Sequence, residues 1–333
     1  MRTAVLVVTA LIIGTMAPAA DEADPIKVGM IGLDTSHVIA FTKVLNNPDH
    51  PDHVPGTRVV AAFKGGSPDV ESSASRVDKF TAQMRDDFDV EIVDSIPALC
   101  EQVDAIMLMS VDGRPHLEQA RPVFEAGLPM FIDKPLAGSL ADALAIRDLG
   151  EKHDVPWFSS SSYRYYETMQ ALLQEDVGEM RGAISYGPCH YEEHHPDFFW
   201  YGVHPTEALF TVMGPGCESV VRTQTPDTDV VTGVWSDGRV GTLRGLRNQK
   251  TPNHVIVFGT KAVAHQPDGP RNYAPMLERV VTLFKTGEPA IDPAETIDMF
   301  AFMEAADESK RRGGVPVKLS EVLKKAEAEL AAR

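Results

Sequence analysis

Between positions 190 and 207 the sequence gathers side chains that bind protons, hydroxyls or cations: His190, Glu192, Glu193, His194, His195, His204 and Glu207. Imidazoles and carboxylates at such spacings suit two tasks. One is a divalent metal that polarises a keto sugar, with His190, Glu193, His194 and His204 as candidate ligands. The other is a polar loop that hydrogen-bonds the hydroxyls of a substrate, with His190, His194 and Glu207 as contacts. The loop reading is favoured, because no tight ligand motif is present.

A second chemical signal is Gly32-Leu33-Asp34-Thr35-Ser36-His37, set between an apolar run and an apolar-periodic segment. A strand, tight turn and helix in that order cradle a pyrophosphate when the turn reads Gly-x-Gly-x-x-Gly. Gly32 keeps the first position, whereas Asp34 and His37 replace the other two glycines. The candidate nucleotide contacts are Gly32, Leu33, Thr35, Ser36 and His37 in the turn, with Lys64 and Ser110 at the ends of later strands. An acidic residue expected for the ribose is absent, and Phe63-Lys64 stands there instead. Lys64 and Ser67 suit a ribose phosphate, which favours NADP over NAD. The alternative is a degenerate site in which Asp34 caps the helix.

The elements that hold these residues fall into two rhythms. Ile26–Ile31, Val59–Phe63, Ala105–Ser110 and Met130–Ile132 read as short buried strands. Helical stretches, Glu71–Arg85 and Leu117–Ala126, lie between them. That alternation predicts a Rossmann-type, doubly wound parallel sheet over residues 25–156. From 157 to 333 strands follow one another: Arg181–Tyr191, Ser219–Gln224, Val230–Trp235, Arg239–Arg247 and His254–Phe258. Asp237-Gly238 marks a hairpin. Helices flank the set at Glu167–Leu173, Ala274–Lys285 and Ala294–Arg311. The second half is expected to be an α+β domain with an open, mostly antiparallel sheet. An active site belongs between the halves, at the carboxyl ends of the parallel strands.

At 333 residues the chain has room for two cores. Its formal net charge of -17 argues against nucleic acid or an anionic membrane surface as the main partner. Neutral or locally recognised small molecules fit better as partners. Residues 1–20 read as a signal peptide: Arg2, an apolar run from Ala4 to Gly14, and Ala17-Pro18-Ala19 before a cleavage site near Ala19. The run is too short to span a bilayer. The mature protein is therefore expected in the periplasm or secreted, without a membrane span, where nicotinamide cofactors are expected to be scarce. Cys100, Cys189 and Cys217 show no metal spacing and read as packing residues.

The stretch from Val103 to Ser162 carries a more specific pattern: Val-Asp-Ala-Ile-Met-Leu-Met-Ser, then His116, then Phe-Glu-Ala-Gly-Leu-Pro-Met-Phe-Ile-Asp-Lys-Pro-Leu-Ala. It resembles the glucose–fructose oxidoreductase, inositol dehydrogenase and rhizopine-catabolism (Gfo/Idh/MocA) family, whose Glu-Lys-Pro triplet Asp133-Lys134-Pro135 matches with a conservative acidic change. The resemblance extends through Gly202-Val203-His204-Pro205-Thr206-Glu207 and Ser309–Leu319. It implies an NAD(P)-dependent oxidoreductase on a sugar, sugar acid or cyclitol, with Lys134 and His204 as the proton-transfer pair. It also implies a cis peptide before Pro135, a homo-oligomer, and a basic residue, Arg164, facing the cleft or pairing with an acidic neighbour. The family aspartate four residues before the histidine is replaced by Trp200, a good platform for a sugar ring. The runner-up is a cofactor-independent or metal-assisted lyase, hydrolase or epimerase on a keto sugar in the same cleft.

Overall fold

The computed structural model describes residues 24–247 and 250–333; the expected leader lies outside them. Ile26–Ile31 (β1), Thr57–Phe63 (β2), Glu91–Val93 (β3), Ala105–Leu108 (β4), Met130–Asp133 (β5) and Trp157–Ser160 (β6) form one sheet in the order β3-β2-β1-β4-β5-β6. Every pairing is parallel. Val28, Met30, Ile106, Leu108 and Ile132 are fully buried, as befits a sheet covered on both faces, and this is why the strands read as unbroken apolar runs. β3 is too short to announce itself in the sequence. β6 follows Pro156, so the sheet closes at Ser160.

Register decides what lies along the carboxyl edge. Ile31 pairs with both Phe63 and Leu108, Leu108 with Ile132, and Asp133 with Ser160. Gly32, Lys64, Lys134 and Ser161 therefore each follow a strand at the same edge. The strand order reverses between β1 and β4, which opens a crevice there. The helix Ser36–Asn46 starts above it, capped by Thr35, whose side chain accepts from the His37 N–H at 3.4 Å. The expected helix Glu71–Arg85 is broken into Glu71–Ala74 and Val77–Phe88. Side chains compete with its backbone at the break: Ser75 Oγ bonds Glu71 O, and Ser73 Oγ accepts from the Ser67 N–H.

One cover of this first sheet comes from far down the chain. Met276, Leu277, Val280 and Val281 of helix Ala274–Thr286 share an apolar cluster with Val28, Met30, Val38 and Phe41.

The second sheet comprises Met180–Pro188 (β7), Cys217–Gln224 (β8), Thr228–Trp235 (β9), Val240–Leu246 (β10), His254–Gly259 (β11), Val263–His265 (β12) and Val317–Lys318 (β13). Its order is β12-β11-β7-β10-β9-β8-β13, antiparallel except where β10 lies parallel to β7. The turn at Asp237-Gly238 joins β9 to β10, with Gly238 at φ +84°. Helices Val203–Met213 and Pro293–Arg311 cover one face, around Phe210, Trp235 and Phe302. Burial alternates along β7 and β9, the mark of a sheet with one face toward solvent.

Beside this sheet a buried ion cluster ties down the segment between β7 and the helix Val203–Met213. Arg222, fully buried, donates to Asp229 at 2.8 Å, to Asp197 at 2.9 Å and to Tyr191 Oη at 2.6 Å, and also meets Asp307. Tyr191 donates to Asp229 at 2.6 Å. Arg247 reaches Asp229 from the other side, and Lys310 pairs with Asp197. Among the described residues no helix is long and apolar enough to cross a membrane.

Candidate active site

Lys134 follows β5, and its bond to Pro135 is cis. His204 enters from the other lobe, in the first turn of the helix Val203–Met213. Both line one cleft of about 340 Å³, with Thr35, Ser36, His37, Ser72, Arg76, Glu192, Trp200 and Tyr201 as further walls. The expected pair is thus brought together at the crevice of the first sheet.

Their supports are the parts that the sequence did not reveal. Asp133, 1% exposed, takes a hydrogen bond from His37 Nδ1 at 2.7 Å and lies 3.6 Å from Lys134 Nζ. Burial by itself would raise the pKa of Asp133, but the charges of His37 and Lys134 and the short bond hold it well below the usual carboxylate range. His37 is stacked on Phe41 at 4.9 Å and edge-on to Tyr273 at 5.2 Å, so its ring direction is set by packing. Ser161, directly after β6, holds His204 Nδ1 at 2.8 Å. Burial, then the positive charges of Lys134 and His37, push the His204 pKa well below the ordinary imidazole value. His204 is therefore neutral at physiological pH. Tyr163 and Tyr201 rings lie 5.0 and 5.6 Å from it. The arrangement can move a proton to and from a ligand seated between an amine and a neutral imidazole.

Several expected contacts stand elsewhere. Arg164 is inside the protein, held by Glu207 at 2.8 Å and Glu295 at 2.6 Å, so it pairs with acidic neighbours instead of facing the cleft. Glu207, 1% exposed, is occupied by that arginine and by the Ser160 hydroxyl at 2.8 Å; it does not line the cleft. His190 borders a separate, more open cavity of about 790 Å³ beside Arg247, Lys250 and Arg271, which meets the first only at Tyr201. His194 sits 3.1 Å from Glu192 and 3.9 Å from Asp69. His195 is buried against Asp112 at 2.7 Å and packs on Trp200. Among the described residues no three His, Cys, Asp or Glu side chains gather as a metal site, so His190, Glu193, His194 and His204 do not form one. The three cysteines are free, two of them buried.

The comparisons with known proteins bear on this geometry. Residues 26–160 match the GFO_IDH_MocA family model, described as an oxidoreductase family with an NAD-binding Rossmann fold. No curated protein matches the sequence. Solved structures align over nearly the whole chain. Scyllo-inositol dehydrogenase from Lactobacillus casei with bound NAD(H) and scyllo-inositol has a TM-score of 0.72 at 14% identity, covering 89% of this chain and 100% of that one. Myo-inositol 2-dehydrogenase from Lactobacillus plantarum has a TM-score of 0.72 at 16% identity, covering 89% and 99%. An oxidoreductase from Agrobacterium radiobacter in complex with NAD+, L-tartaric acid and magnesium has a TM-score of 0.73 at 16% identity, covering 90% and 100%. Residues 26–160 match a family of oxidoreductases with an NAD-binding Rossmann fold, and the chain shares the overall fold of these solved dehydrogenases; both findings support that family.

The turn after β1 carries Asp34 where a glycine-rich phosphate turn has its second glycine. Asp34 is fully buried; its Oδ1 accepts the Val111 N–H at 2.9 Å and its Oδ2 the Ser73 hydroxyl at 2.6 Å. It neither meets solvent nor caps the helix, a task Thr35 performs. A Cβ on Gly32, which holds φ +87°, would lie 2.2 Å from Ser110 Oγ, so this glycine serves the packing of Ser110. Ser110 in turn bonds Gln119 at 2.9 Å. Lys64 pairs with Asp78 at 2.6 Å on the outer surface. Thr35, Ser36 and His37 remain at the cleft.

Proposed function

We propose that the cleft is an active site for a small polyhydroxylated substrate (a sugar, sugar acid or cyclitol), with Lys134 and His204 exchanging a proton at one of its hydroxyl-bearing carbons. The observation that carries this reading is the convergence of an amine and a neutral imidazole, one from each lobe, on one small cavity. Asp133 and His37 hold the lysine end. Ser161 fixes the imidazole so that Nε2 is the nitrogen left for a ligand. Trp200 supplies an aromatic face, and Thr35, Ser72 and Glu192 supply hydrogen-bonding groups for hydroxyls.

Oxidation with NAD(P) is the version that the family model and the NAD-bound neighbours support. Proton transfer without a net redox change is the version that the closed phosphate turn supports. Both use the same pair. Turnover of a panel of cyclitols, aldonates and keto sugars, with and without NAD(P), tests the common core. Lys134→Met and His204→Gln should each lower the rate by about 10²- to 10⁴-fold, the usual worth of a positioned acid or base. Full activity in both variants sinks the assignment.

We also propose export, with residues 1–20 removed near Ala19, and self-association through the solvent-facing side of the second sheet, where Val234 and Val240 are 43% and 44% exposed. Mass spectrometry of the mature N-terminus and light scattering check these two points.

A further inference from the structure

We propose that this chain works without a dinucleotide, its own Asp34 carboxylate standing where a pyrophosphate would lie, so that the cleft runs a redox-neutral reaction. The proposal rests on the Lys134–His204 reading for the site and on a different set of residues for the absence of a cofactor. Three loops that would have to part around an adenylate are bonded to each other instead. Asp34, from the turn after β1, joins Val111 after β4 and Ser73 after β2. The Ser73 oxygen also accepts the Ser67 N–H at 2.7 Å, and Ser67 bonds the Asp112 carboxylate. Arg114 bridges Asp112 and Asp69 at 2.7 and 2.9 Å.

The second lobe adds a bolt. His195, 6% exposed, bonds Asp112 at 2.7 Å from across the crevice. Burial would raise the pKa of Asp112, but the bonds from His195, Arg114 and Ser67 hold it far below the ordinary range. At the close of β2, a Cβ on Gly65 would lie 3.1 Å from Gly32 Cα, so the two turns are already in contact where a ribose would pass. Three N–H groups beside the turn already have protein acceptors, Gly32 to Phe63 O at 3.0 Å, Leu33 to Lys64 O at 2.7 Å and Val111 to Asp34 Oδ1 at 2.9 Å, and breaking such buried pairs one-sidedly is costly.

A redox-neutral path needs no carrier of electrons. On a substrate with a carbonyl beside the hydroxyl-bearing carbon, the C–H bond breaks, its proton passes to Nε2 of His204, and the electron pair forms an enediolate beside the Lys134 ammonium. Protonation of the opposite face by the Lys134 ammonium regenerates the carbonyl and inverts the centre; His204 then releases its proton and Lys134 regains one from water, and nothing is oxidised overall. The Nε2 lone pair is available in the tautomer that donates from Nδ1 to Ser161.

The test is calorimetric titration of the full mature chain with NAD+, NADH, NADP+ and NADPH, with mass spectrometry of small molecules released on denaturation. No heat and no nucleotide are expected; a Kd below ~1 mM for any of the four, or a co-purified dinucleotide, overturns the proposal. Nucleotide binding would leave the Lys134–His204 reading standing, since the variants above judge that separately. Asp34→Gly restores the glycine of the phosphate turn and should lower the melting temperature. Asp34→Asn, which keeps an acceptor, should lower it less. Inorganic phosphate should raise the melting temperature of Asp34→Gly more than that of the unaltered chain. An Asp34→Gly variant as stable as the parent would show that the carboxylate holds nothing together and would likewise overturn the idea.

Discussion

Two clusters of buried charge differ in one respect that separates architecture from chemistry. Around Arg222 the guanidinium is held by protein groups on its three nitrogens, Asp229, Asp197, Asp307 and Tyr191, with Arg247 and Lys310 adding pairs to Asp229 and Asp197; in this cluster one buried oxygen of Asp307 keeps no partner among the described residues. Around Asp133 the same kinds of group stop short. His37 and Lys134 are anchored on their protein side, and Lys134 and His204 each keep a face toward an open cavity. A closed cluster fixes a loop; an open one leaves valences for a ligand. His204, with its lowered imidazole pKa, belongs to the open cluster and faces a cavity, the setting in which such shifts signal function; in the closed cluster burial raises the Asp307 pKa to about 7 with no cavity beside it among those described.

The sharpest way to break this contrast is Arg222→Met. It strips the countercharge from buried carboxylates and should cost about 3–5 kcal/mol of unfolding free energy in urea, while the folded fraction turns over normally. Lys134→Met should do the reverse, with activity down by about 10²- to 10⁴-fold and the unfolding midpoint nearly unmoved. A loss of stability from Lys134→Met comparable to that of Arg222→Met would erase the distinction.

Acid should titrate the buried histidines and carboxylates in two phases. His204 and His116 have folded pKa values below the ordinary imidazole value, in each case first because of burial. The unfolded chain then binds more protons below about pH 6.5, so stability is full above that pH and declines as pH falls. Asp133 and Asp112, held low in the fold, extend the loss below about pH 4. Melting temperatures across pH 3–8 check the two phases, and His204→Gln should soften the first. The smallest effect is expected of Ser161→Ala. A few-fold drop in kcat with a displaced pH profile marks a positioning hydroxyl, whereas an unchanged profile makes Ser161 a mere packing residue.

Much of the scaffold was readable in the residues. β1 was bounded correctly from its apolar run, β11 to within one residue, and the hairpin at Asp237-Gly238 from its turn chemistry. Helices Glu167–Leu173 and Pro293–Arg311 emerged from periodicity. The site was legible only in part. Lys134 and His204 came from family resemblance, not from any local pattern. The His37–Asp133 bond spans 96 positions, and the Asp34–Val111 bond spans 77. Such pairs exist only because parallel register lays separate strand ends side by side, which a window of ten residues cannot express. Arg164 and Glu207 illustrate a second limit. Their positions beside the cleft were evident, but whether a side chain turns outward or finds an internal partner depends on Glu295, 131 residues away.

The late helix Ala274–Thr286, packed on the first sheet, sets a timetable for the nascent polypeptide. By the time β6 has emerged, Val28, Met30 and Phe41 still lack their cover, and they stay without it until more than a hundred further residues have been made. A first lobe that waits on residues 274–286 for part of its cover stays unfinished for most of the chain's synthesis.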